Sequence, residues 1–469
     1  MTVTPPTTTD LRSLCGGAVH LPGDAGYDDA RMPWNVAVDQ RPAAVAYPGS
    51  AEEVADVVRA ARATGLRVAA QGTGHNAGPL GALDDVVLLR TSAMTGVSVD
   101  PERMVARAEA GALWEDVVDA VAPHGLMALH GSSPDVGVVG YSLGGGMGWY
   151  ARELGLQASS LTAVELVTPD GEITRADANT NPDLFWAVRG GGGNFGVVTA
   201  VEMRVYPIPT AYAGWLVYDG SRAEEVLTRW AAWAVDAPDA VTTSFRVLNV
   251  PPIEEMPPPF RGRLITVIDG AVLGDDETAA GILAPLRDLG PEMDTFERQP
   301  AAALARLHQD PEGPTPGVSG SALLAGLPAE AISTFLALGP GPGSPLLLSE
   351  LRQLGGALGR PREDGGAVSH VEGQFALFTA CIAATPELGA AGHAAAQRLV
   401  AAMAPWATGR QYLNFAENPV DAASGYDAAT YARLQAIRAE VDPDGLMVAN
   451  HRISAAPTAT VPPTVPHQR

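Results

Sequence analysis

The chain has 469 residues, 46% of them hydrophobic, which is enough for two or three domains with substantial cores; 53 acidic against 30 basic side chains leave a net charge of −23. That balance argues against nucleic acid or an anionic membrane as partner, because both call for basic patches. Two cysteines, Cys15 and Cys381, are too few and too far apart for a disulfide framework, and no apolar run reaches membrane-spanning length.

The nine histidines show no HExxH or HxxxH spacing and no CxxC pair accompanies them, so no metal is expected. The opening MTVTPPTTTD lacks a basic stretch followed by an apolar core, so no signal peptide is expected and the default location is cytoplasmic.

Residues 1–30 read as a poorly structured lead-in. Ser50-Ala51-Glu52-Glu53 is a capping box, and Val54, Val57, Val58 and Ala61 recur at helical spacing until Gly65. Leu66 to Ala70 then reads as a strand entering the glycine-rich loop of GLRVAAQGTGHNAGPLG, residues 65–81, which presents His75. Val86 to Leu89 and Met104 to Glu109 read as strands, and Leu113 to Val121 as a helix stopped at Pro123-His124-Gly125.

A second glycine segment covers residues 131–148, with strand-like Val136 to Val139 followed by Gly140-Tyr141-Ser142-Leu143-Gly144-Gly145-Gly146. Three consecutive glycines suit neither a helix nor a strand interior but are tolerated where backbone lies against a ligand. Leu161 to Thr168 and Glu172 to Arg175 form a hairpin signature around Pro169-Asp170-Gly171. A helix-like Pro182 to Val188 leads into Gly190-Gly191-Gly192-Gly193-Asn194-Phe195-Gly196, and a long strand spans Val197 to Tyr206.

Near residue 207 the composition shifts to alanine-rich helices with Pro-rich punctuation, so 207–409 is expected to be a second domain, with Gln374 to Ile382 its clearest strand. Residues 410–455 revert to the character of the N-terminal part, and 456–469 read as a solvated tail.

Two motifs match well-known patterns in the wrong context. Gly191 to Gly196 fits GxGxxG, but a dinucleotide site needs a strand before the loop and a helix after it, and the order here is inverted. Gly140-Tyr141-Ser142-Leu143-Gly144 fits the GxSxG hydrolase elbow after a strand-like run, yet Gly144 to Gly146 is a poor helix start; Asp442 and His451 would be the partners of Ser142.

Taken jointly, the three glycine segments resemble the flavin-linked oxidases of the berberine-bridge-enzyme type, in the vanillyl-alcohol-oxidase superfamily. The resemblance covers roughly 35–206 and 405–454, the latter through Tyr412-Leu413-Asn414-Phe415, Asp442-Pro443-Asp444-Gly445 and Asn450. It implies an α+β, two-lobed FAD-binding (PCMH-type) fold with an antiparallel-sheet-plus-helices substrate domain. Residues 1–206 would bind FAD, 207–409 would cover the substrate, and 410–455 would return to the FAD domain.

It further implies that His75 carries a covalent bond to FAD. Gln71, Gly72, Thr73, Gly74, Asn76 and Gly78 of the first loop would contact the cofactor. So would Ser132, Ser133, Val136, Gly137, Gly140 and Tyr141 of the second, together with Gly144, Gly145, Gly146 and Gly148. Val197, Tyr412, Asn414 and Asn450 complete the set. Many members tether the flavin a second time through a cysteine; Ser133 stands there, so at most one link is expected, as in the 6-hydroxynicotine-oxidase-like branch. Tyr141 stands where members often carry a histidine, and Val136 falls at the family's oxygen gate, which favours O2 as acceptor.

Read as a strand, 412–415 puts Tyr412 and Asn414 on one face, so Tyr412, Tyr141 and Asn414 are the catalytic candidates, with Tyr412 as base or hydrogen-bonding group. Gln374 and Phe378, on one face of their strand, are candidate substrate wall. The partners expected are a small organic molecule and O2, in a monomer or homodimer. A reductase of the same fold using a nicotinamide donor, a serine hydrolase using Ser142, and a non-catalytic flavin or ligand binder are the rival readings.

Overall fold

The computed structural model describes residues 8–454. Three sheets organise the chain. The first has the order Val19–His20, Ala44–Ala46, Val86–Arg90, Arg67–Gln71, with its last three strands parallel. The helix Ala51–Thr64 is the crossover between two of them. Ser50 accepts the Glu53 amide at its start, Gly65 ends it in the left-handed region, and Val54, Val57, Val58 and Ala61 are buried. The second sheet is antiparallel and five-stranded, running Val97–Asp100, Val105–Glu109, Val197–Arg204, Leu161–Val167, Ile173–Asp177.

The third sheet is the largest, with eight antiparallel strands between Thr210 and Ile382. The helices Ala223–Asp236, Ala329–Leu338 and Pro386–Met403 cover one face, packing around Trp230, Phe245, Phe335 and Phe375. Beyond it the chain returns to the first sheet, where Val68 and Met447 form a parallel bridge and the Val68 amide donates to the Leu446 carbonyl. Among the described residues, no helix is long and apolar enough to cross a membrane.

Three expectations are corrected. The described part of the lead-in carries structure: 3-10 turns, Val19–His20 and the helix Tyr27–Arg31, anchored because Leu11 and Val19 are buried in the main core. Val136 to Val139 is not a strand. Gly137 caps the short helix Val138–Leu143, whose Val138, Val139 and Leu143 turn inward; β-branched composition alone suggests a strand there. Tyr412 to Phe415 is also not a strand: Tyr412 is extended, and Leu413–Phe415 is a 3-10 turn. The tail 456–469 lies outside the described residues.

Candidate active site

A cavity of about 460 Å³ lies where the glycine loops, the open face of the large sheet and the C-terminal segment meet. The strand Arg67–Gln71 ends at its edge and delivers residues 72–76 to the wall. Gly74 sits at φ +87°, a conformation that suits glycine, and Pro33 packs against it. His75 follows. Its Nδ1 is 2.7 Å from Thr73 Oγ1, its ring stacks on Trp34 with centroids 4.0 Å apart, and its Nε2 lies 3.6 Å from Asp135 Oδ1.

Asp135 is the hub of this corner. It accepts from Trp34 Nε1 at 2.7 Å, Ser133 Oγ at 2.8 Å and the Gly313 amide at 2.8 Å. Burial by itself would raise its pKa, but His75 and these three donors hold it well below the usual carboxylate range. Asp135 is therefore an anion beside the His75 ring.

Across the cavity, Tyr412 and Asn414 do come together, through the 3-10 turn. Asn414 Nδ2 donates to the Tyr141 carbonyl at 3.0 Å and lies 3.4 Å from the Tyr412 hydroxyl. Burial pushes the Tyr412 phenol up to about 12, with Asn414 opposing, and burial together with Tyr412 pushes Tyr141 well up. Both hydroxyls are therefore neutral at physiological pH.

A Cβ on Gly144 would collide with Asn414 Oδ1, so this turn closes only over a glycine. Gly144→Ala is expected to displace Asn414, break its bond to Tyr141, and cost about 1–3 kcal/mol in urea unfolding.

Most of the residues proposed from sequence line this cavity: Gln71, Gly72, Thr73, Gly74, His75 and Asn76 do, as do Ser132, Ser133, Val136, Gly137, Gly140, Tyr141 and Gly144. Phe378, Tyr412, Asn414 and Asn450 do too. Others stand behind the wall. Gly78 packs on the Glu417 carbonyl, and Gly145, Gly146 and Gly148 back onto Tyr412, Tyr141 and the His130 carbonyl. Val197 is buried against Val167, and its neighbour Val198 lines the cavity instead. Gln374 precedes the strand Phe375–Ile382, is exposed, and lies off the wall; the alternation that joined it to Phe378 starts one residue later. Ser142 is fully buried inside its short helix with no partner for its hydroxyl. The Asp442 carboxylate is taken by Arg438 and the Leu446 and Met447 amides, while His451 bonds the Leu413 carbonyl, so no triad assembles.

Sequence reasoning missed Trp34, Asp135 and a charged row on the large sheet. On Leu348–Gln353, Leu348, Glu350 and Arg352 share one face and line the cavity, Glu350 lying opposite Phe378 and Leu348 opposite Ala380. Arg246 pairs across from Glu350 on the other side. Behind them, buried His308 faces Asp269 at 2.7 Å through Nδ1 and Glu350 at 3.4 Å through Nε2. Burial and Arg246 work to lower its pKa, but Asp269, Asp310 and Glu350 outweigh them and raise it to about 9. The signal available in sequence was two opposite charges at i and i+2, Glu350 and Arg352, just after the apolar run Leu346 to Leu348.

The cavity tests well as a cofactor site. Both amide atoms of Gln71, Nε2 of His75 and Oδ1 of Asn76 are buried without a partner among the described residues, and they border one glycine-lined wall suited to a polar, anionic ligand. Residues 42–177 match the family described as an FAD binding domain. The crystal structure of 6-hydroxy-D-nicotine oxidase from Arthrobacter nicotinovorans superposes with a TM-score of 0.80 at 26% identity, covering 93% of this chain and 97% of that one. The chain thus carries an FAD binding domain at 42–177 and is similar over nearly its whole length to 6-hydroxy-D-nicotine oxidase.

Among curated relatives of this flavoprotein, (R)-6-hydroxynicotine oxidase of Paenarthrobacter nicotinovorans is 35% identical over 209 residues, 44% of this chain and 46% of that one. Glucooligosaccharide oxidase of Sarocladium strictum is 36% identical over 193 residues, 40% of this chain and 38% of that one. The chain spans about half the length of the curated relatives it matches. Physcomitrella patens BBE-like 1 shares the fold, with a TM-score of 0.84 at 20% identity over 96% of this chain and all of that one.

Proposed function

We propose that this protein is an FAD-linked oxidase of small organic molecules, with the flavin attached through His75 and O2 as the terminal acceptor. When bound, FAD supplies the hydride acceptor for a substrate C–H and passes the electrons to O2, which yields H2O2. Residues 1–206 and 410–455 would form the flavin lobe and 207–409 the substrate lobe. Alcohols, amines, sugars and natural-product intermediates all fall within this reading.

The chain's own residues have distinct roles in it. The amides of 72–76 and of the second glycine segment hold the pyrophosphate region, because backbone N–H groups approach closest where no Cβ intervenes. Asp135 and Trp34 fix the His75 ring between an anion and a stacking face. Ser133 cannot form a second link, since a hydroxyl stands in place of a thiol. Tyr412, held protonated by burial, orients the substrate's reacting group by hydrogen bonding, with Asn414 and Tyr141 setting its position.

One observation carries this reading: a half-buried loop histidine whose Nε2 has no hydrogen-bond partner among the described residues and faces an ionised carboxylate on the wall of a glycine-lined cavity. The test is an absorption spectrum of the purified protein before and after acid precipitation. Flavin bands that remain in the pellet, and are lost from it in His75→Ala, are expected. Colour that moves to the supernatant removes the tether and keeps the oxidase, whereas a colourless protein that resists reconstitution with FAD overturns the proposal. The rival hydrolase is disfavoured by the buried, unpartnered Ser142 and its scattered partners.

A further inference from the structure

We infer that Arg352 is the recognition group for a carboxylate on the substrate, and that the rest of the substrate is compact and largely apolar. The inference rests on the oxidase reading of the cavity and names the substrate class that reading leaves open.

Arg352 stands on the cavity wall, mostly buried. Its Nε donates to Glu350 Oε1 at 2.7 Å and its Nη2 to Ser132 Oγ at 3.2 Å. The Phe415 ring lies 5.0 Å from its central carbon. Those contacts use two of five N–H donors and fix the plane; among the described residues Nη1 has no hydrogen-bond partner. A buried guanidinium that is anchored through Nε and held against an aromatic ring presents a rigid planar fork, the geometry that matches a carboxylate.

The neighbouring acids do not compete for the same ligand. Glu350 is taken by Arg352 and faces His308. Asp310 accepts Ser132 Oγ at 2.9 Å and lies 3.9 Å from His308. Glu417 accepts Ser319 Oγ at 2.6 Å, and burial raises its pKa toward the uncharged acid. An ammonium group in this cavity would meet Arg352 while every nearby carboxylate is already engaged.

Leu348, Phe378, Ala380 and Ile382 project from one face of adjoining strands and line the cavity. Those surfaces gain from burying hydrocarbon and offer nothing to a ring of hydroxyls.

The test is isothermal titration of the holoprotein at pH 7 with benzoate, benzamide and benzylamine as matched probes. Benzoate is expected to bind tightest. In Arg352→Gln and Arg352→Lys its affinity should fall at least about tenfold while that of benzamide stays within about twofold. Because Arg352→Gln strands Glu350, the double variant Arg352→Gln/Glu350→Gln restores a neutral wall and must show the same selective loss. Benzamide or benzylamine matching benzoate in the wild type, or benzoate affinity surviving in the variants, overturns the inference. The flavin spectrum of the same sample separates the two ideas: a colourless sample counts against the oxidase, and a yellow one without benzoate preference counts against the carboxylate site alone.

Discussion

Asp269→Asn is expected to lower the unfolding free energy by about 3–5 kcal/mol. Asp269 is fully buried in the strand Leu264–Val272 and accepts Arg246 Nη2 at 2.5 Å, His308 Nδ1 at 2.7 Å and the Ser244 hydroxyl. An asparagine offers one oxygen to those donors and turns an NH2 toward the rest, so Arg246 and His308 lose the counter-ion they share, and His308 keeps only Glu350 and Asp310. Urea unfolding at pH 7 reads the effect, and a loss below about 1 kcal/mol would mean that the cluster is solvated like a surface pair.

The same cluster fixes a pH dependence. His308 binds its proton more tightly when folded, near 9 against an ordinary 6.5, so its contribution is complete below about pH 6.5 and disappears as pH rises through 9. The amount is roughly 3 kcal/mol. Asp269 and Glu350 are held low, so their contribution is present above the ordinary carboxylate range and is lost in acid. Removing Asp269 should therefore also flatten the alkaline limb of the stability curve.

What could be read from sequence follows from where the determinants are local. Ser50, Glu53 and Gly65 mark the ends of one helix within a single stretch of chain, and the structure keeps those ends. The inverted order around Gly191 to Gly196, helix before strand, is likewise kept, with Pro182–Gly191 preceding Val197–Arg204. Val136 to Val139 failed because β-branched residues satisfy a short buried helix as well as a strand, and six residues are too few for periodicity to decide. Tyr412 and Asn414 were placed together for the wrong reason: a 3-10 turn, not strand alternation, brings them near each other.

Glu350 and Arg352 were visible as charges at i and i+2, but the cluster they join was out of reach. Asp269, His308 and Glu350 are contributed by separate segments: the pairings of Ser244 with Asp269 and of Arg246 with Glu350 set the two acids on one face, and His308 reaches both from outside the sheet. Trp34 gave no signal either. Its role exists only because the chain before the first parallel strand folds back over residues 73–75, where its amide donates to the Thr73 carbonyl.

On the proposed His75 link, Asp135→Asn is expected to reduce the fraction of flavin held covalently several-fold while FAD still co-purifies. The carboxylate joins three separate stretches of chain: Trp34, the second glycine segment through Ser133, and the Gly313 amide that leads toward the large sheet. Hydrogen bonds to an ionised acceptor are each worth about 1.5–3 kcal/mol when the partner is lost. Asparagine keeps the shape but can accept through only one atom, so at least one of the three donors faces an N–H. Trp34 is then free to leave the His75 ring on which it stacks at 4.0 Å, and the negative charge 3.6 Å from Nε2 is gone. The ring loses its orientation and the neighbouring anion, both of which would favour attachment of the cofactor there. The glycine-lined wall is untouched, which is why reversible FAD binding should persist. Acid precipitation separates pellet from supernatant flavin in the variant. Equal covalent content in Asp135→Asn and wild type would show that His75 needs neither the anion nor the clamp, whereas loss of all flavin from both fractions would show that Asp135 holds the site itself together.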